Sequence, residues 1–296
     1  MIATILLTSL MMLAGGAPRG GAATETARTA DDFTERDEIN RTFQLAPGAH
    51  VEVSSIGGPV EIVNSDSATA EVQIIRTART RADLDYHKIS VEQTGSRLVI
   101  KGIQEPENRQ GENIRVNHHV KLKLPRRIDL AVMSISGSVR GGDVDGQTVL
   151  RSISGSATFG DVGGKLRLTS ISGDVVIGTV GGDARVNSVS GDVRVAEVNG
   201  SLDVNSVSGR VKATLASLST QGIHINSVTG SIEVAFKSDV NADFSADSIN
   251  GNVDLDVPGV TRDTEVKPPN FRARIGAGGT PISITSVTGN VRLTRS

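Results

Sequence analysis

The chain has no cysteine and no tryptophan, and only one tyrosine and six phenylalanines in 296 residues. Without cysteine there can be no disulfide bracing, no thiolate nucleophile, no thiolate metal ligand and no lipid-carrying cysteine behind a leader. With so few rings, a thick aromatic core is excluded, and so are the flat faces on which sugars are commonly gripped. An excess of charge of one sign is also missing. The formal net charge is −2, which gives no overall basic field to attract nucleic acid or an anionic membrane.

Catalytic signatures are sparse as well. His50, His87, His118, His119 and His224 are scattered without metal-ligand spacing, and the adjacent His118 and His119 would point to opposite faces of a strand. No G-x-S-x-G elbow and no Walker-type phosphate loop occurs. No cofactor or metal is implied, and no residue is assigned a catalytic role.

A long apolar run occurs only at the start, from Ile2 to Ala14, followed by small residues. Residues 1–23 read as a signal peptide cleaved after Ala23 or, alternatively, after Ala17, although its first residues carry no Lys or Arg. The other reading is an uncleaved membrane anchor. Residues 24–45 are expected as a flexible mature N-terminus. No later stretch is long and apolar enough to span a bilayer. The expected location is outside the cytoplasm, either periplasmic or extracellular at the cell surface.

What the chain does have is glycine, 33 residues of it, and repetition. The motif Ser-(Ile/Val)-x-Gly begins at Ser134, Ser152, Ser170, Ser188 and Ser206 in steps of 18. It returns at Ser227 and Ser248 in steps of 21, and at Ser286 after 38. An earlier relative, SSIGGPVEIV, holds Ser55 and Ile56. A fixed period of this size marks a solenoid or an array. Counting apolar residues, the inward set of one unit is Ile171, Val175, Ile177, Val180, Ala184 and Val186, and the next is Val189, Val193, Val195, Val198, Leu202 and Val204. The intervals repeat a nine-residue half twice per unit: a short strand, then a bend at glycine, where the chain can adopt positive φ.

This predicts an all-β fold, a parallel β-solenoid with 18- to 21-residue coils stacked at about 4.8 Å and forming a rod on the order of 40 Å long. A left-handed hexapeptide helix would need an inward residue every six, which this spacing does not supply. A calcium β-roll would need its turn pattern in every half, and GGDVDGQTV and GGDARVNSV share only the opening. In the stack, Ser134, Ser152, Ser170, Ser188, Ser206, Ser227, Ser248 and Ser286 form one ladder. Asn187, Asn205 and Asn226 form a second, with stacked amides bonding coil to coil. Both are read as structural ladders, with ligand binding as the alternative.

Residues 46–127 depart from the period. They are expected as irregular N-terminal coils with a β-hairpin insertion turning at Thr94-Gly95-Ser96, which cap the stack. Residues 128–296 are the regular solenoid, with a loop excursion at 257–281 that holds Pro258, Pro268, Pro269 and GAGG. The chain ends on a motif, so the coil at Val287 to Thr294 is expected to be an open edge. Self-association or partner capture there would be weakened by a charge or proline at Val291.

The units SISGDVVIGTVGGDARVNSVSGDVRV, the early PGAHVEVSSIGGPVEIV, the VKLKLP before the array and the late GAGGTPISITSVTGNVRL together resemble the bacterial "putative adhesin" β-strand-repeat family, a domain of unknown function numbered 4097. The resemblance covers about Ala46 to Ser296. It implies a β-solenoid outside the cytoplasm and supplies no catalytic residues.

Stacked carboxylates are the remaining enzyme signal. Asp143, Asp161 and Glu197 share one position with Thr179 between them; Asp174 and Asp192 stack before Arg210; Arg167 and Arg185 stack before Asp203. Such groups could serve a polysaccharide-cleaving β-helix, or be a solvated, charge-paired face. Two basic groups, Arg76, Arg79 and Arg81, and Lys121, Lys123, Arg126 and Arg127, read as solvated charge, with an anionic envelope polymer as the alternative partner. The functional expectation is an exported, non-catalytic, adhesin-like solenoid whose partner is an envelope protein or polysaccharide, or a second copy. Nucleic acid is not a partner, and the mature chain holds no transmembrane segment. The alternatives are a carbohydrate-active β-helix enzyme and an envelope-stress sensing or accessory subunit.

Overall fold

The alternation of side chains along each repeat decides what faces inward. In the strand Leu166–Ser172, Leu166, Leu168 and Ser170 are buried while Arg167, Thr169 and Ile171 are exposed. A bend at Gly173 leads to the strand Val175–Val180, whose Val175, Ile177 and Val180 are buried. The Gly181-Gly182 bend then returns the chain to Ala184–Ser190, one level up. Ser170 pairs with Ser188, Val175 with Val193, and Val180 with Val198, all parallel and 18 residues apart.

This path is seen in a computed structural model that describes residues 33–104, 114–263 and 270–296. The expected signal peptide and residues 24–32 lie outside the described residues. Among the described residues the strands form two sheets, sheet 1 with twelve and sheet 2 with thirteen, mostly parallel. Between them lies a thin core of Val, Ile, Leu and Ala, with Leu168, Val186 and Val204 from sheet 2 and Ile177, Val195 and Ala213 from sheet 1.

The two bends use glycine for different reasons. Gly155, Gly173, Gly191 and Gly209 all have φ between +111° and +119°, a region closed to residues with a Cβ. The Gly-Gly bend needs close approach instead: a Cβ on Gly181 would lie 2.3 Å from the carbonyl oxygen of Gly163.

The N-terminal end is closed by antiparallel strands. In sheet 2 the hairpin His87–Thr94 and Arg97–Gln104 turns at Gly95 (φ +57°) and lies beside Ala49–Gly57. In sheet 1 the outermost strand is Glu35–Gln44, paired over its whole length with Thr69–Ala78. The expected flexible stretch 24–45 therefore contains a ten-residue strand. Its alternation, with Ile39 and Phe43 packed against the core and charge between them, makes it a polar edge that resists further pairing.

The C-terminal end overturns the expected open edge. The last strands in sequence, Thr280–Thr288 and Val291–Arg295, are not last in space. Thr280–Thr288 lies between Ile223–Thr229 and Ala242–Asn250, and Val291–Arg295 lies between Ile232–Phe236 and Val253–Asp256. Val291 pairs with Ile232 on one side and Val253 on the other and is 1% exposed, so it offers no edge for self-association.

The reason lies in the expected loop excursion at 257–281. Its described residues include strands Val260–Arg262 and Asn270–Ile275, which run antiparallel to one another and extend sheet 2 beyond Ala242–Asn250. The Gly276–Gly279 turn then crosses the start of Ala242–Asn250, held by Asn241 Oδ1 accepting from Ala277 N–H (2.8 Å) and Asp243 Oδ2 from Gly279 N–H (3.0 Å). From there the chain steps back and fills a slot one coil wide.

Candidate binding face

The outer face of sheet 2 is where the repeat becomes a surface. Because Leu-x-Leu-x-Ser points inward, the Ile or Val after each Ser must point outward. Ile135, Ile153, Ile171, Val189, Val207, Val228 and Val287 stand in one row, each 40–49% exposed. Ile171 and Val189 were expected inside. Counting only apolar residues passed over the serine, which takes the inward position.

The serines are correspondingly internal. Ser134, Ser152, Ser170, Ser188, Ser206, Ser227 and Ser286 are in register and at most 8% exposed, and the backbone of Ser248 pairs with Ser286. Ser134 Oγ donates to Ser136 O (3.3 Å) and Ser152 Oγ to Gly155 O (3.4 Å). The hydroxyls of Ser170, Ser188, Ser206, Ser227 and Ser286 have no protein partner. The seven of these serines whose side chains are described thus form a buried column, and no hydroxyl among them bonds another. The asparagines do: Asn205 Nδ2 donates to Asn187 Oδ1 (3.1 Å) and Asn226 Nδ2 to Asn205 Oδ1 (2.9 Å).

Between this outward amide row and the Ile/Val row runs a trough of about 490 Å³ that spans five coils, from Thr169 and Ile171 to Thr285 and Val287. Its exposed lining is almost wholly hydrocarbon.

The stacked carboxylates are engaged elsewhere. Asp143 Oδ1 accepts from Asp161 N–H (3.0 Å) and Asp161 Oδ1 from Thr179 N–H (2.7 Å). Asp174 accepts from Asp192 N–H (2.9 Å) and Asp192 from Arg210 N–H (2.7 Å). Each aspartate bonds the bend of the next coil. Asp183 does the same for Ser201 N–H, and this bond, with Lys165 beside it, holds its carboxyl below the usual range. Arg185 pairs with Asp203 (2.9 Å), and Glu197 pairs with Lys237. Among the described residues no group of three or more His, Asp or Glu is placed to hold a metal ion.

Of the basic groups, Lys121, Lys123 and Arg126 are exposed and paired with Glu61, Glu71 and Asp143. Arg76 is different. Expected as solvated charge, it is buried, pairs with Asp37, and donates to the carbonyls of Leu84 (2.9 Å) and His87 (2.8 Å). It ties the edge strand to the short helix Arg81–Tyr86, which no repeat pattern signalled. Next to it His87 and His118 lie with ring centroids 6.4 Å apart, and burial lowers both from the ordinary histidine value. His118 Nδ1 meets Gly57 O at 3.0 Å. His119 is exposed on the other face of the strand, and His50 and His224 stand apart from this pair.

Several solved structures align with most of this chain. One described as a putative adhesin from Bacteroides fragilis aligns with a TM-score of 0.47 at 13% identity, covering 87% of this chain and 97% of its own. A putative adhesin from Parabacteroides distasonis aligns at 0.33 and 11% identity, covering 88% and 97%. A putative lipid binding protein from the same species aligns at 0.33 and 13% identity, with the same coverage. A search of curated proteins finds no match. Residues 49–294 match the sequence pattern described as Toastrack DUF4097, and the chain belongs to that family.

Proposed function

We propose that this protein is an exported, non-catalytic binding module that presents the outer face of sheet 2 at the cell envelope. The observation that carries the reading is the row from Ile135 to Val287, seven branched aliphatic side chains in register and 40–49% exposed. Single exposed apolar residues need no explanation, but a contiguous row of them does. The stacked carboxylates support the same reading, because a carboxylate that accepts a bend N–H is committed to holding the coil rather than free to move protons.

The test is capture from envelope extracts of the protein's own host by the chain from Thr24 to Ser296, compared with Val207→Asp. Val207 is exposed, so the change alters the face and not the core. A protein or polymer retained by the parent and lost with Val207→Asp is the expected result. Equal retention by both, or no retention by either, overturns the assignment of this face.

A further inference from the structure

The trough points to a class of ligand, an inference that rests on the binding-face reading above. Its length is the first argument. Five coils at about 4.8 Å per step place the outer rungs about 19 Å apart. A fully extended hydrocarbon advances about 1.3 Å per carbon, so about 15 carbons span the lining.

Polarity is the second argument. The amides of Asn187, Asn205 and Asn226 bond one another along one wall, and the serine hydroxyls lie beneath the surface. Within the trough little is left to ask for a polar ligand.

Charge is the third, and it gives the trough a direction. The row containing Thr169 and the three asparagines continues one coil before Thr169 with Arg151. Arg151 is exposed, and no ion pair engages it among the described residues; the same holds for Arg167 in the neighbouring row. At the opposite end the row continues past Thr285 with Asp247, which is exposed. A cation therefore stands at one end of a hydrocarbon channel and a carboxylate at the other. That pattern complements an extended amphiphile with an anionic head at Arg151 and a tail running toward Val287. A second copy laid face to face would not need this polarity.

We propose that the trough binds one long-chain fatty acid of about 14–16 carbons, its carboxylate at Arg151 and its chain laid along the Ile/Val row. Titration calorimetry of the full protein with decanoate, myristate, palmitate and stearate, each below its micelle concentration, tests this. One site per chain is expected. Affinity should rise about twofold per added methylene, roughly half the gain of full burial because the trough is open on one side, and should level off near 16 carbons. Val207→Asp should weaken palmitate at least 20-fold, and Val189→Thr, which keeps strand preference, about threefold. Arg151→Glu should weaken palmitate about tenfold and leave hexadecanol unchanged. Val176→Asp, on the outer face of sheet 1, should change nothing.

Affinity independent of chain length, or unaffected by Val207→Asp and Val189→Thr, overturns the proposal. So does sedimentation that shows a dimer dispersed by Val207→Asp, which would make a second copy the occupant. A lysophospholipid bound tightly where palmitate is not would overturn the fatty-acid assignment. If no fatty acid binds while envelope capture still depends on Val207, the ligand class fails and the binding face stands; if neither depends on Val207, both fail.

Discussion

From Ser134 to Ser227 the order of coils in sequence is their order in space, whereas beyond Ser227 it is not. In the middle, each coil lies on the one before it, with glycine over glycine and aliphatic over aliphatic at every step and an aspartate on the next bend at each step up to the Ser206 coil. At the two ends the contacts are used once. The N-terminal end is tied by Arg76 and its partners, and the C-terminal end by a coil that steps back into a slot. Repetition holds register, but it does not fix sequence order. The last coil fits between two earlier ones in the same register that they would take with each other's neighbours, and the connection through residues 257–281 brings it there.

The largest effect should come from breaking that difference directly. Deleting residues 280–296 removes Ile282, Ile284, Val291 and Leu293, all at most 1% exposed, and leaves unpaired edges on both neighbouring coils. At about 1.5–3 kcal/mol per buried side chain, the loss is on the order of 6–12 kcal/mol, comparable to the stability of a whole domain. Excising residues 170–187 instead joins Thr169 to Ser188, the next-level equivalent of the removed Ser170, and shortens the stack by one coil. The excised protein should still unfold cooperatively in urea with a modestly lower midpoint. The truncated one should lose protection from hydrogen exchange throughout residues 242–262. Equal midpoints for the two deletions would contradict the inserted position of the last coil.

Glycine gives a smaller and more local contrast. Gly191 has φ +112°, and a Cβ there would lie 2.4 Å from Gly173 O. Gly279, in the crossing turn, has φ +116° but no atom within 4 Å of that position. Gly191→Ala carries both backbone strain and a backbone clash and should cost about 3–4 kcal/mol, while Gly279→Ala carries strain alone, about 1–2 kcal/mol. Thermal or urea unfolding of the two variants measures the difference.

The pH response should separate the N-terminal end from the middle. His87 and His118 both titrate below the ordinary 6.5 in the folded protein because burial penalises the charged form. The unfolded chain therefore binds protons first as pH falls. Stability is unaffected above about 6.5 and declines below it, until the pH passes under the folded values. Protection factors, which divide out the slowing of intrinsic exchange at lower pH, should fall in Val116–Pro125 and His87–Thr94 as pH drops from 7 to 5, while those of the strands between Leu166 and Ser208 hold steady. In the middle, Asp183 responds with the opposite sense of charge. Its pKa is lowered from 3.8, so its contribution is lost only at still more acid pH.

What could be read from the chain follows the same division. The period, the parallel stacking and the thin aliphatic core were legible because each recurs many times. The side of the strand on which Ile171 and Val189 lie was legible too, but only through alternation. Leu168 and Ser170 are two apart, and an apolar count that skips serine shifts the face by one residue. The return of Thr280–Thr288 into the stack was not legible. The step from Ser206 to Ser227 and the step from Ser227 to Ser248 are both 21 residues, yet the first advances one level and the second two. Arg76 was also hidden. Its burial depends on Asp37, Leu84 and His87, which only the folded chain brings together.

The smallest effect sharpens the comparison within the middle itself. A buried hydroxyl without a partner costs about 1–3 kcal/mol relative to one that is bonded, and Ser188 Oγ is such a group. Ser188→Ala removes the unpaired oxygen and leaves a void of one atom, so the variant should be more stable by about 0.5–1 kcal/mol. Ser134 occupies the same position in its coil and is equally buried, but its hydroxyl donates to Ser136 O. Ser134→Ala gives up that bond and should be neutral or slightly destabilising. Opposite signs at two equivalent rungs would show that the column is held by what surrounds it and not by bonds running along it. Equal losses at both would mean that the hydroxyls bond from coil to coil, and the serine column would then be a ladder of the same kind as the asparagines.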